Sequence, residues 1–306
     1  MMDLNSLSQR IRERNYAGFS LNPPFPTKMK VEVTNRCNHK CFFCCQRKLS
    51  AKKGEIEYDF LSMLLNEAYG YGVKEIGYFI HGEPFMCKDL DKYIRLAKDV
   101  GFEYVYVTTN GSLVTQERLI AVVDAGLNSI KFSINAGTKD TYKVVHGIDD
   151  FDLVLENLLF CSEYRKKKSF NLFMSCILTD CIIDEVNLIK DKFESIVDEI
   201  TFLKARGCGG LMKENEIIGG GFTKIEKCAL IFNAIHVNFN GTLLACDNDA
   251  NDLFQIADLK KASLYDAWYG DKMTDLRKMH LRGNLDNSRC SLCLSTGGGM
   301  VEILNS

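Results

Sequence analysis

Proline is scarce in this chain, with four in 306 residues, tryptophan occurs once, and neither charge is in excess. Lysine and arginine total 38 against 40 aspartates and glutamates, a net charge of −2. Balanced charge gives no electrostatic footprint for DNA, RNA or an anionic membrane as partner. The one basic run, "RKKK" at 165–168, reads as a solvated helix end. No stretch of about 20 apolar residues is present, so no membrane-spanning helix is expected. The start, "MMDLNSLSQRIRERN", has no apolar core of the secretory kind. Thirteen cysteines, an odd number without such a signal, exclude a disulfide scaffold. They point instead to the cytoplasm and to metal or redox use. There is no internal repeat and no long low-complexity run.

What is present is alternation. Three of the four prolines fall in "LNPPFPTK" (21–28), an extended lead-in after a polar helix expected near 3–15. Apolar β-forming runs follow at 28–33, 75–80, 103–109, 129–135, 171–178 and 199–205. Helical periodicity fills the intervals near 58–70, 89–100, 115–125, 151–167 and 184–196. Six strand–helix units of this kind predict an α/β fold, a partial (β/α)6 barrel with a parallel sheet. Chemistry in such a barrel sits where strands end. Those ends here carry "TNRC", "HGEP", "TNG", "SINAG", "LTD" and "KARG". The pattern breaks at a glycine-rich connector, 206–224. Beyond it, "NAIHVNFNGTLLACDND" predicts a hairpin turned at Asn240-Gly241, then a helix near 262–280, then "CSLC". The expected units are 1–27 (helix and lead-in), 28–221 (barrel) and 222–306 (a small C-terminal domain of hairpin plus helix).

Cys37, Cys41 and Cys44 stand as C-x3-C-x2-C just after the first strand. Three thiolates in one loop can hold three corners of an iron–sulfur cubane and leave the fourth iron open. A structural zinc more often takes four protein ligands. A zinc loop and a coincidental cluster of cysteines are the competing readings. The stretch "CNHKCFFC" resembles the signature of radical S-adenosylmethionine enzymes, with Phe43 in the aromatic position before the third cysteine. The resemblance implies a [4Fe–4S] cluster whose open iron binds S-adenosylmethionine. Its reductive cleavage to a 5′-deoxyadenosyl radical then abstracts hydrogen from substrate. It also implies cofactor contacts from "HGEP" (Gly82, Glu83 and Pro84, with His81 where the family has glycine), from Asn110, and from Ser133 and Asn135.

A second set, Cys228, Cys246, Cys290 and Cys293, resembles the shortened auxiliary-cluster extension called a twitch domain, related to SPASM domains. That implies one auxiliary [4Fe–4S] cluster with four protein ligands, acting as electron acceptor; a four-cysteine zinc site is the alternative. Cys45 reads as a spare pointing away from the cluster, and Cys87, Cys161, Cys176 and Cys181 as ordinary thiols, mostly small buried hydrophobes. Cys208, at the mouth of the last strand, reads first as a chance loop cysteine; the other reading is a thiol that returns a hydrogen atom to a substrate radical. Arg206 is the catalytic candidate, by likeness to an arginine of twitch dehydrogenases near the substrate hydroxyl; an exposed arginine that holds a loop is the competing reading. His81 either touches substrate or packs, His39 is assigned no role, and Trp268 reads as packing beside Leu264 and Tyr265.

The resemblance leaves three functional readings. The first is oxidation of a carbohydrate or aminocyclitol hydroxyl with the auxiliary cluster as acceptor. The second is peptide or protein maturation by crosslinking, epimerisation or side-chain oxidation; it is disfavoured because only Met1–Arg36 precede the first cysteine set. The third, a non-catalytic zinc or iron–sulfur module, leaves "HGEP" and "TNG" unexplained. Expected partners are a sugar-like or peptide substrate and an electron donor such as flavodoxin or ferredoxin, with no nucleic acid and no membrane.

Overall fold

The computed structural model describes residues 6–15, 18–212 and 227–295. Helix α1 (Leu7–Asn15) precedes β1 (Lys28–Val31), α2 (Tyr58–Gly70), β2 (Glu75–Tyr78), α3 (Leu90–Val100), β3 (Tyr104–Thr109), α4 (Gln116–Asp124) and β4 (Ser129–Ser133). Then come α5 (Lys139–His146), α6 (Phe151–Tyr164), β5 (Asn171–Leu178), α7 (Val186–Phe193) and β6 (Glu199–Lys204). The C-terminal part holds α8 (Leu230–Asn233), β7 (Ile235–Val237), β8 (Thr242–Leu244), β9 (Ala257–Asp258), α9 (Leu264–Tyr269), α10 (Asp271–Arg282) and α11 (Arg289–Ser295).

β1 to β6 pair in parallel in sequence order, the expected partial barrel. Every residue of β2 is buried, because side chains fill the barrel on one face and meet helices on the other. The helices carry matching apolar stripes: α3 buries Leu90, Tyr93, Ile94 and Ala97, spaced three to four apart. Thr115 and Thr138 cap α4 and α5 by accepting the backbone N–H of Arg118 and Thr141.

Helix α1 closes the end of the barrel where strands begin. The backbone N–H groups of Leu7 and Ser8 donate to the Glu199 carboxylate at 2.7 and 2.8 Å. Arg10 pairs with Glu75 at 2.6 Å and lies over the Tyr104 ring. Access to the barrel is left at the opposite end, above the strand C-termini.

Several expected elements are revised. β1, β2 and β4 end two residues early, which moves Glu32, Phe79 and Ile134 into the loops over the barrel mouth. Helix α5 was not anticipated. It is eight residues long and contains adjacent β-branched valines, and only its Thr138 cap and its Gly147 stop mark it. The single helix expected over 262–280 is two, broken at Gly270, where a Cβ would stand 2.9 Å from the Asp266 carbonyl. The expected hairpin is present as antiparallel β7 and β8, with Gly241 at φ +95° in the turn. It does not stand apart: β7 pairs in parallel with β1, extending one sheet in the order β6-β5-β4-β3-β2-β1-β7-β8-β9. An open barrel leaves the β1 edge unpaired, and β7 satisfies it. The expected boundary at 221/222 and most of the connector lie outside the described residues. Trp268 packs as expected, fully buried beneath the Arg277 guanidinium. Among the described residues no helix is long and apolar enough to cross a membrane.

Candidate functional site

The loop after β1 brings Cys37, Cys41 and Cys44 together above the strand ends, each partly buried. Two backbone bonds fix it to the last turn of α5: Lys40 N–H donates to the His146 carbonyl (3.0 Å) and Phe42 N–H to the Val145 carbonyl (3.1 Å). Burial pushes the Cys37 thiol up to about 12, with the Glu83 and Cys44 charges adding to it. Burial and then the charges of Cys44 and Cys37 push Cys41 up as well. Cys44 is lowered, chiefly by a hydrogen bond from the Cys45 thiol. Neighbouring thiols whose ionisation is opposed at Cys37 and Cys41 are a setting that a cationic iron centre relieves, since coordination strips the proton outright. The donor set therefore fits the cluster that the sequence implies.

The flanking motifs meet this loop. Gly82 is forced by contact: a Cβ there would lie 1.9 Å from the Thr34 carbonyl oxygen and 2.8 Å from that of Arg36. Glu83 is buried and its carboxylate is spent inside the protein. It accepts Phe85 N–H (3.0 Å) and the Thr109 hydroxyl (2.7 Å) on one oxygen and Asn110 N–H (2.7 Å) on the other. Burial raises its pKa despite these bonds. Pro84 opens the short turn that follows, as the first residue of its helical segment. Asn110 reaches the cluster loop, its amide 2.9 Å from Asn38 Oδ1 and 3.9 Å from the Cys37 sulfur. Ser133 ends β4, half-buried, opposite Ser175. Asn135 is 2% exposed; its Oδ1 accepts Ile177 N–H at 2.7 Å, so it locks the ends of β4 and β5. Phe43 sits edge-on to Phe42 and faces the central cavity.

The second set also converges. Cys228 precedes α8, Cys246 follows β8, and Cys290 and Cys293 lie on α11. Burial raises all four thiols, Cys228 to about 11, and Cys228, Cys246 and Cys290 each feel the charge of Cys293. Cys228 N–H donates to Nδ1 of His280, which is buried on α10.

A cavity of about 270 Å³ at the barrel mouth is lined by Phe43, Cys44 and Cys45 together with Arg206, Cys208 and Asp247. Arg206 lines this cavity, 3.5 Å from Asp247 Oδ1. Burial would lower the guanidinium pKa, but Asp247 and the charges of Cys293, Cys228 and Cys246 hold it up. Asp247, next to Cys246, also pairs with Lys30 from inside the barrel. The sequence reasoning passed over Asp247, although its position beside a candidate ligand was a usable signal. It also passed over His146, whose helix was not anticipated, and assigned nothing to His39. The two imidazoles and Cys41 place their ligating atoms within 4.8 Å of one another. Cys45 is buried beside Cys208 in a small apolar cluster, and its thiol is raised chiefly by its neighbours Cys208 and Cys44. Cys208 itself has φ +47°, a conformation uncommon for any residue but glycine. His81 turns Nδ1 to Glu32 (3.1 Å) and lines the same cavity.

Comparison with known proteins agrees with this arrangement. The Radical SAM superfamily profile matches residues 31–189, just over half of the chain, and the SPASM profile, an iron–sulfur cluster-binding domain, matches 228–294. A probable GTP 3′,8-cyclase of Sulfurisphaera tokodaii is 28% identical over 182 residues, 59% of this chain and 56% of that protein. That of Saccharolobus solfataricus is 30% identical over 130 residues, 42% of each. The chain thus spans about half the length of these curated relatives. Among solved structures, BtrN in complex with AdoMet and 2-DOIA matches with a TM-score of 0.61 at 18% identity, covering 89% of this chain and 94% of BtrN. Streptococcus suis SuiB bound to precursor peptide SuiA matches with 0.66 at 15%, covering 88% and 69%. Native anSMEcpe with bound AdoMet and Kp18Cys peptide matches with a TM-score of 0.64 at 16% identity, covering 83% of each. At these identities the likeness speaks for the fold. With its three-cysteine loop, its barrel and its C-terminal cysteines, the chain belongs to the radical SAM superfamily and carries a SPASM-type iron–sulfur domain.

Proposed function

We propose that Cys37, Cys41 and Cys44 hold a [4Fe–4S] cluster with one iron open to S-adenosylmethionine, and that Cys228, Cys246, Cys290 and Cys293 hold an auxiliary [4Fe–4S] cluster. The units are 28–221 for the radical barrel and 222–306 for the auxiliary domain. When bound, the first cluster and S-adenosylmethionine supply the one-electron chemistry that abstracts hydrogen from a substrate. The observation that carries the reading is the shared cavity, whose lining includes Cys44 together with Arg206 and Asp247, which adjoins Cys246. A substrate seated there lies between the two sets of thiols. Arg206 orients its polar group. Asp247, fixed between Lys30 and Arg206, offers a carboxylate oxygen that can take a proton. Phe43 and the inward-turned loops restrict water at the reacting end. Gly82, Pro84, Asn110 and Ser133 line the approach to the first cluster, while Glu83 and Asn135 keep that approach in shape.

For the substrate we place a peptide or protein side chain first, which is taken up as an oxidation, crosslink or epimerisation. Support comes from SuiB and anSMEcpe, which overlay this chain more closely than BtrN does. A carbohydrate or aminocyclitol hydroxyl is the second reading, favoured by the match to BtrN over nearly its whole length. A cavity of about 270 Å³ admits either one side chain or one sugar ring. A flavodoxin- or ferredoxin-like protein supplies the electron.

The test is anaerobic incubation with S-adenosylmethionine, a one-electron reductant and two panels, short peptides and free amino sugars. A peptide product that is crosslinked or lighter by two hydrogens supports the first reading. A sugar product lighter by two hydrogens supports the second. Failure to form 5′-deoxyadenosine from S-adenosylmethionine overturns both.

A further inference from the structure

The C-terminal turn of α5 does more than anchor the first cysteine loop. A helix end leaves its last carbonyls without intrahelical partners, and here those of Val145 and His146 accept the N–H groups on either side of Cys41. Gly147 ends the helix at φ +67°, and a Cβ there would crowd the Lys40 carbonyl at 3.0 Å. The backbone of Cys41 is thereby held against the helix. The imidazole of His146 then lies over its sulfur, with Nδ1 at 3.6 Å from Sγ.

Donor and acceptor accounting fixes the state of that ring. Asn135 N–H donates to His146 Nε2 at 3.2 Å, so Nε2 carries the lone pair and the neutral ring has its proton on Nδ1. Nδ1 faces two acceptors, the Cys41 sulfur and His39 Nδ1 at 3.2 Å. His39 is itself oriented, since its Nε2 lies 3.0 Å from the Asp150 carboxylate and donates to it, which leaves the lone pair at Nδ1. Tyr142 stacks on His146 at 4.0 Å and 12°, removing rotational freedom from the ring. Both imidazoles are fully enclosed, at 1% and 3% exposure. Asp150, Asn135 and Tyr142 thus agree on one tautomer whose Nδ1–H lies between the His39 nitrogen and the Cys41 sulfur.

We propose that His146 is a positioning residue that donates an Nδ1–H hydrogen bond to the Cys41 sulfur and thereby raises the reduction potential of the cluster Cys41 holds. The proposal rests on the assignment of Cys41 as a ligand. A donor to a ligating sulfur stabilises the more negative, reduced state more than the oxidised one. Hydrogen bonds of this class are a known lever on such potentials, and here the lever is a side chain that the sequence places 105 residues from its target.

The test is an anaerobic potentiometric titration followed by EPR on the reconstituted holoenzyme. The signal of the first cluster is identified by its change on adding S-adenosylmethionine. At the potential where the wild type is half reduced, His146→Leu is expected to lower the reduced-to-oxidised ratio about tenfold, equivalent to about 59 mV for a one-electron couple. His146→Asn, whose amide N–H can take the place of Nδ1–H, should restore most of it. In wild-type protein labelled with 15N-histidine, the reduced first cluster should show a 15N hyperfine coupling that His146→Leu removes. An unshifted potential in a His146→Leu protein of normal iron content overturns the proposal, as does absence of the coupling in wild type. If His146→Leu holds no cluster, the wild-type coupling alone decides. Undiminished iron in Cys41→Ala would overturn the ligand assignment itself, whereas a normal cluster without the coupling overturns only the role of His146.

Discussion

Glu83 distinguishes a brace from a cofactor contact, and its replacement gives a measurable difference. Three donors end on its buried carboxylate: Phe85 N–H, the Thr109 hydroxyl and Asn110 N–H. Glu83→Ala leaves all three enclosed without an acceptor, at about 1–3 kcal/mol each. Relief of a buried charge offsets part of this, so the expected net loss of stability is about 3 kcal/mol. Glu83→Gln keeps one carbonyl oxygen for Phe85 and Thr109 but turns an NH2 toward Asn110 N–H, a loss of about 1–2 kcal/mol. The assay is anaerobic urea unfolding of the protein without S-adenosylmethionine. The pH dependence has a definite sign. Burial raises the folded pKa of Glu83, so wild-type stability from this group is full at low pH and declines as pH rises above the unfolded value. The gap between wild type and Glu83→Gln should therefore narrow with rising pH. Wild-type stability of Glu83→Ala in the absence of cofactor, with weakened S-adenosylmethionine binding, would refute the brace and restore a direct contact.

Three further outcomes follow from the same geometry. Gly82→Ala must displace the Thr34 and Arg36 carbonyls and should cost about 3 kcal/mol in urea unfolding; unchanged stability would deny the close approach. Burial pushes Asp249 up to about 6, so the stability it contributes is full below about pH 4 and is lost as pH rises through about 6, roughly 3 kcal/mol at most. Asp249→Asn should flatten that part of the pH–stability profile, and an unaltered slope between pH 4 and 7 contradicts the assignment. Arg206→Ala should lower kcat on the true substrate at least about tenfold with normal iron content, and full turnover removes Arg206 from the reaction.

The barrel was legible because β-forming runs and 3.6-residue periods alternate with little proline to interrupt them. The candidate cluster ligands were legible because their spacing is local in the first set and marked by cysteine itself in the second. What escaped is tertiary. Nothing in residues 235–237 announces that this strand will pair with β1, since the unpaired edge exists only once the barrel has formed. Helix α5 was hidden by its length and its valines, and with it His146, which reaches the cluster loop from 105 residues away. "HGEP" was readable as a motif, yet the division of labour within it was not. Gly82 is excluded from carrying a side chain, and Glu83 serves the neighbouring loop rather than facing outward. Cys45 looked redundant because adjacency to Cys44 says nothing about Cys208, which folding brings to its other side.

The central claim is that seven cysteines divide into a three-ligand and a four-ligand cluster, and iron content tests it most directly. Anaerobically reconstituted wild-type protein should bind about eight irons per chain and cleave S-adenosylmethionine under reducing conditions. The Cys228→Ala/Cys246→Ala protein should keep about four irons and still cleave it. Zinc in place of iron, or the same iron content in wild type and variant, would contradict the account.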